Sequence, residues 1–365
     1  MSDAVPTDTA ASALTTRKVP LRERIPVISQ LRMSVGLQRG MLVAGLVITA
    51  IFIITAIFAP WIAPYGFAQR SVDGVDFGTQ QPPNPINLLG TTVSGFDVLS
   101  RTIWGAQTAI LVIIAAVAFS IFLGIFLGLV SGYFGGWLDR VLVVICDAIY
   151  AFPSLLLAIV MSIVISKGQS TLLGGILSAA IAITVVFVPQ YFRVIRAEVV
   201  RVKAEPFVES ARVIGVPTAR ILVRHVLRNS TRSLPVVVTL NASEALLTLA
   251  GLGFLGFGIE ATAAAEWGYD LNRSVADVSS GIWWTAIPPG LAIVLVVLGI
   301  TLVGESLNDL SDPRLRRRRS AAKSTKSAKS AKSATSAKAS NRDAVTDATP
   351  TTSGPSPTST PGGAS

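Results

Sequence analysis

Predominantly apolar runs of about twenty residues recur along this chain, each long enough to cross a ~30 Å hydrocarbon core as a helix rising ~1.5 Å per residue. Six can be marked, at 41–62, 103–130, 138–165, 172–191, 233–255 and 284–303. No other feature constrains the fold as much, because lipid offers backbone groups no hydrogen-bond partner and runs of this length satisfy theirs only as helices. Charged residues make up 14% of the sequence, against roughly a quarter in soluble domains. We therefore expect an all-α integral membrane protein with six transmembrane helices.

Several chemistries are excluded early. Cys146 is the only cysteine, so there is no intramolecular disulfide and no Cys-based metal site. His225 is the only histidine, which leaves little for a His-rich zinc site or a Ser-His-Asp triad. The phosphate-binding pattern G-x-x-x-x-G-K-[ST] is absent. We expect no enzyme activity, no metal and no resident cofactor, with energy supplied by a partner or a gradient. Gly251, Gly253 and Gly256 do spell G-x-G-x-x-G. They close an apolar run rather than follow a strand, so they read as close helix packing and a loop exit.

Six spans put both termini on one side, and the distribution of Lys and Arg selects the cytoplasm. Residues 1–40 carry Arg17, Lys18, Arg22, Arg24, Arg32 and Arg39 ahead of the first apolar run, which reads as a retained span and not a signal peptide. Residues 193–232 hold nine basic residues and three acids, Glu198, Glu205 and Glu209. The arginines of 314–319 complete the inner side, and the acidic loops 63–101 and 256–283 fall outside. The expected organisation is a cytoplasmic segment 1–40, a membrane domain 41–310, and a disordered cytoplasmic tail 311–365 rich in Lys, Ser, Ala and Pro. A solvated tail is preferred over one held by headgroups, and no specific nucleic-acid partner is expected.

Within the second run, Ser120, Gly124, Gly128 and Gly132 recur every four residues. Such a face lets another helix approach closely, and packing inside one chain is preferred over a dimer seam. In the basic island, Pro206 suits the first turn of a short helix over 207–214, and Gly215 suits its C-terminal stop. Pro217 then opens a second helix through about Arg228, on which Arg220, Arg224, Arg228 and Arg232 form a stripe at four-residue spacing. In the fifth run, Asn241, Glu244 and Thr248 share a polar face. A carboxylate there costs roughly 2.5–3.5 kcal/mol to insert, so it must face water or protein. It either lines a solute path, where it would favour cationic or amino groups, or pairs with another subunit's helix. Asp147 reads as interfacial, near the inner face.

Glu209-Ser210-Ala211 with Gly215, followed by Arg224-His225-Val226-Leu227-Arg228-Asn229, resembles the EAA loop of bacterial ATP-binding-cassette importer permeases. More closely, the chain is similar to the C-type subunit of the dipeptide/oligopeptide/nickel permease family. Supporting stretches are Phe58-Ala59-Pro60-Trp61, Leu89-Gly90-Thr91, Asp97-Val98-Leu99-Ser100-Arg101, Gly132-Tyr133-Phe134-Gly135-Gly136, Ala151-Phe152-Pro153-Ser154, Arg196-Ala197-Glu198-Val199, Trp267-Gly268 and Asp312-Pro313-Arg314-Leu315, so that the likeness covers roughly residues 41–315.

The resemblance implies the type I importer permease architecture in a bacterial cytoplasmic (inner) membrane. It implies a coupling helix, Pro206, Phe207, Val208, Glu209, Ser210 and Ala211 with Gly215, seated on a cytoplasmic ATPase that binds the ATP. It also implies a heterodimer with a homologous permease subunit, two ATPases and an extracytoplasmic solute-binding protein. The alternative is a secondary transporter or channel without an ATPase, which would show inverted repeats. The chain departs from the family pattern at Ser210 (usually Ala), Arg228 (usually Pro), Asn87, Thr92 and Phe96 (usually His, Asp and Arg) and Leu249, where an acid is common.

Overall fold

The computed structural model describes residues 37–166 and 172–311. The expectations for most of segment 1–40, the turn after the third run and nearly all of the tail lie outside the described residues. Eleven helices of α type occur among the described residues. The first, α1 (Leu37–Ile62), starts inside the segment assigned to the cytoplasm. A loop follows with a small hairpin, β1 (Ser71–Val72) and β2 (Val75–Asp76), pairing Ser71 with Asp76 and Val72 with Val75. Its two-residue turn, Asp73-Gly74, has positive φ at both positions, as a type I′ turn requires.

Next come α2 (Val98–Phe134), α3 (Gly136–Tyr150), α4 (Ser154–Ser166), α5 (Leu172–Lys203) and α6 (Pro206–Val213). A composite helical segment follows: α7 (Thr218–Arg220), a π-helix (Ile221–Leu227) and α8 (Arg228–Ser230). The chain then forms α9 (Leu234–Phe254), α10 (Trp267–Ser279), a 3₁₀ turn (Trp283–Thr285) and α11 (Ile287–Ser311).

Among the described residues, five helices are long and apolar enough to cross a bilayer by themselves. The third expected run is different: α3 and α4 meet at 98°. Phe152 precedes Pro153, whose ring pushes it out of the α region and whose missing N–H breaks the ladder. At 15 and 13 residues, neither half spans ~30 Å at ~1.5 Å per residue. Pro153 interrupts the run, as its sequence predicts, and the two halves are long enough to cross a bilayer only when taken together. A departure lies beyond it: residues 256–283, expected as a mixed acidic loop, contain α10.

The centre is the pair α2 and α5, which run in the same direction with their backbones in close approach. A Cβ on Gly124 would lie 2.3 Å from Cβ of Tyr191, one on Gly128 2.9 Å from the Phe192 carbonyl, and one on Gly132 2.9 Å from Val199. Above them the Ser120 hydroxyl donates to the Ala116 carbonyl at 2.6 Å, and the Thr184 hydroxyl reaches the same carbonyl at 3.3 Å. The expected small-residue face is thus filled from within the chain. Ala109, Val112, Ile113 and Ala116 meet Ala180, Ile183 and Phe187 to make the surrounding core. Helix α1 docks through Gly45 onto Gly299 and Leu302 of α11, and Gly304 of α11 receives Thr239 of α9. The other side of α1 presents Val47, Ile51, Ile54, Phe58 and Trp61 outward, at the three- and four-residue steps of a lipid-facing stripe.

Enlarging the central seam should be costly while a glycine in open space should not matter. Gly124→Leu is expected to lose at least 1–3 kcal/mol to overpacking, read as a lower melting temperature in detergent. Gly40→Ala, with nothing within 4 Å of its added Cβ, is expected to be neutral or slightly stabilising.

Candidate coupling helix and transport path

Helix α6 is short because its two ends are fixed by sequence. Pro206 occupies its first turn, where no N–H is needed. At the other end Gly215 has φ +82°. Its N–H donates to the Arg212 carbonyl at 2.9 Å and that of Val216 to the Ala211 carbonyl at 3.1 Å. This pair of bonds is a Schellman stop, which only a residue tolerant of left-handed φ provides without strain. The Ser210 hydroxyl donates back to the Pro206 carbonyl at 2.9 Å, so the serine found in place of alanine is locally satisfied.

The helix has two distinct sides. Val208 and Ala211 are buried, while Phe207, Glu209 and Ser210 face outward. Val213 and Ile214, 83% and 80% exposed, leave an apolar tip uncovered. The helix is tied to the ends of α2 and α5 through one ring. Arg212 stands 5.3 Å and Lys203 5.7 Å from the centre of Tyr133, at distances where a cation is drawn to the aromatic face. Lys203 also donates to the Tyr133 carbonyl.

The second helix of the island was expected as one α-helix from Pro217. Instead its middle, Ile221–Leu227, is π-helical. Ile221, Leu222 and Val226 are buried against the core. Arg220, Arg224, Arg228 and Arg232 are all exposed, so the stripe exists on a differently wound backbone. Arg228 continues the helix where a proline would have ended it, and Asn229 donates to the His225 carbonyl at 2.7 Å.

On α9 the three polar residues separate. Asn241 and Thr248 are buried, at 4% and 6% exposure, and the Thr248 hydroxyl donates to the backbone carbonyl of Glu244 at 2.9 Å. Glu244 alone opens onto a recess of about 210 Å³, shared with Tyr150, Phe152, Ser154, Leu157, Val186 and Gln190. Asp147, read as interfacial, is half-exposed and paired with Arg193 at 2.8 Å. One turn nearer α6, Arg196 grips Asp139 through Nε at 2.5 Å and Nη2 at 2.7 Å.

The strongest polar fixture was not anticipated from sequence. Arg101, 1% exposed, donates through Nε to both carboxylate oxygens of Asp270 at 2.8 and 2.9 Å and through Nη1 to the Phe67 carbonyl at 3.0 Å. Beside it Glu266 caps α10, accepting from the N–H groups of Gly268 and Tyr269 at 2.8 and 2.7 Å. Trp267 donates to the Thr102 carbonyl at 3.0 Å and fits only because Gly105 has no side chain. Gly268 sits on the Ala250 carbonyl, and Gly253 faces the Glu266 carboxylate. The G-x-G-x-x-G glycines thus serve helix contact and exit, with Gly256 at φ +81°.

The available signals were Asp97 to Arg101 and Trp267-Gly268, which carried only family likeness. The departures nearby are accommodated. Asn87 donates to Asp97 at 3.0 Å, the Thr92 hydroxyl accepts from the Phe96 N–H at 3.1 Å, and Arg70 and Arg101 lie 4.7 and 5.0 Å from the Phe96 ring centre.

Helices long and apolar enough to cross a bilayer, packed through small-residue seams, mark a multi-pass integral membrane protein. Residues 120–317 match the model of the binding-protein-dependent transport system inner membrane component, and residues 37–83 that of the N-terminal domain of oligopeptide transport permease C. The chain is 36% identical over 274 residues to the dipeptide transport system permease protein DppC of Alkalihalophilus pseudofirmus, covering 75% of this chain and 86% of the relative. It is likewise 36% identical over 267 residues to the glutathione transport system permease protein GsiD of Escherichia coli, covering 73% and 84%. The chain belongs to the binding-protein-dependent transport system inner membrane component family, as a multi-pass permease component of an ATP-binding-cassette importer.

Burial pushes the Glu266 carboxyl up to about 8, against the two backbone N–H bonds that favour its charge. The folded state therefore holds this proton more tightly than the unfolded chain does. The contribution to stability is present in full below the ordinary carboxylate range and is lost as pH rises through about 8. Melting temperature in detergent should fall from pH 5 to 8, and Glu266→Gln should flatten that slope.

Proposed function

We propose that this chain forms half of the membrane pathway of an importer for dipeptides, oligopeptides or related small solutes. It pairs with a homologous permease subunit, is driven by two cytoplasmic ATPases that bind the ATP, and receives its solute from an extracytoplasmic binding protein. The names of its relatives, a dipeptide and a glutathione permease, support the solute class. Segment 1–40, the island 193–232 and tail 311–365 are cytoplasmic in this reading, and 41–310 is the permease domain.

The observation that carries the proposal is the two-sided character of α6. Val208 and Ala211 hold it to the core, while Phe207, Glu209, Val213 and Ile214 remain exposed. An ATPase groove that accepts this outer side moves the helix when two ATPases close on ATP. Because the inner side is packed, that motion passes to α2, α5 and the π-helical segment without being absorbed by a loose joint. Asn241 and Thr248 brace α9 from within, and Glu244 faces the solute.

Co-purification of the ATPase with the permease tests the coupling role. Ile214→Asp places a charge on an already exposed tip, and Gly215→Val imposes roughly 1–2 kcal/mol of left-handed strain at the stop. Both should lower ATPase retention and uptake while the permease still elutes as a folded species. Full retention and uptake in both variants would show that α6 is not the docking element.

A further inference from the structure

The recess at the break between α3 and α4 has features that the permease role does not by itself require. Glu244 is the eleventh residue of the 21 in α9, so its carboxylate lies at the middle of a membrane span. A charge at that depth is retained only where water or a counter-charge meets it. Among the described residues Glu244 makes no ion pair. The cations closest to the recess along α5 are taken, Arg193 by Asp147 and Arg196 by Asp139. Of the side chains that line the recess, that of Glu244 alone is charged.

The remaining walls suit a small cation. Tyr150 and Phe152 present exposed rings, and the Tyr150 ring already carries the Arg193 guanidinium 4.3 Å from its centre. Gln190 offers an amide oxygen as an acceptor, and Leu157 and Val186 line the apolar part. At about 210 Å³ the space falls below the ~300–1,000 Å³ of pockets that enclose a drug-sized molecule. It fits a head group and not a whole peptide.

We propose that this recess is a subsite for a protonated primary amine of the transported solute, with Glu244 as the charged acceptor, Gln190 as the neutral one, and Tyr150 and Phe152 as the aromatic walls. The proposal rests on the importer reading. It differs from it in committing to a charge, since a pathway can exist without a cation subsite. The ammonium has two sources in a peptide, its N-terminus or a lysine side chain.

A single reporter thiol reads the charge of the recess directly. Ser154→Cys is introduced with Cys146→Ser, in the assembled importer with its partner permease in membrane vesicles. It is then labelled with aminoethyl or sulfonatoethyl methanethiosulfonate. The cationic reagent should react roughly tenfold faster than the anionic one, as expected for one carboxylate in a partly desolvated site. Glu244→Gln, nearly isosteric and at an exposed position, should bring the two rates together. Alaninamide should protect the thiol if the subsite takes an α-ammonium, and n-butylammonium if it takes a side-chain ammonium. Acetamide should protect in neither case.

Equal rates for the two reagents, or a preference unchanged by Glu244→Gln, would overturn the proposal. A thiol that neither amine protects, but that assembly with the partner permease shields, would assign Glu244 to subunit pairing and also overturn it. ATPase co-purification through α6 would be unaffected by either result, so failure here is distinguishable from failure of the importer reading.

Discussion

The seam between α2 and α5 determines where everything else can sit. In lipid there is no hydrophobic drive between helices, so contact must come from surfaces that fit closely. Gly124, Gly128 and Gly132 provide that fit by admitting Tyr191, Phe192, Ile195 and Val199 to backbone distance. At 37 and 32 residues, the two helices measure ~55 and ~48 Å, well beyond a ~30 Å hydrocarbon core. They form a beam that projects from the apolar zone. The useful attachments are at its ends, where polar chemistry becomes available.

The attachments differ in strength. At the α2 N-terminus, Arg101 and Asp270 are buried together, and removing either partner of such a pair typically costs 3–5 kcal/mol because the other is left uncompensated. That fixture locks α10 and the loop after α1 onto the beam. Near the other end, Arg193 and Asp147 are 45% and 54% exposed, and a pair so hydrated contributes about 0–1 kcal/mol. Helix α3 is thus held partly by contacts that exchange easily with water, and it ends at the 98° break beside Glu244. Toward its start α3 is held more firmly, because Arg196 grips Asp139 through two nitrogens, so the looser hold is confined to the end beside the recess.

What the sequence made legible follows from interaction range. The apolar runs, the four-residue glycine spacing and the Pro206–Gly215 bounds of α6 depend on neighbours within a few turns, and each could be read directly. Arg101 and Asp270 are 169 residues apart, and no local pattern pairs them. Glu266 looked like one more acid in a mixed loop, because its capping role needs the helix it begins. The polar face of α9 was legible as a spacing, but which of Asn241, Glu244 and Thr248 reaches open space depends on α3, α4 and α5. Pro153 signalled an interruption. Its angle was set by packing against α5 and α9, which no dipeptide encodes.

The π-helical segment connects the two candidate sites. A four-residue step overshoots a 3.6-residue turn by about 40°, so a stripe at that spacing on an α-helix winds gradually toward the buried side. Wider turns closed by i to i+5 bonds make the same step fall short. The two winding errors oppose one another between Arg220 and Arg232, and all four arginines stay exposed while Ile221, Leu222 and Val226 stay buried. The departure from α geometry therefore reconciles a charged outer face with an apolar inner face over twelve residues. Helical or turn backbone runs from Thr218 to Phe254, and ahead of it the Val216 N–H donates to the Ala211 carbonyl across the link from α6.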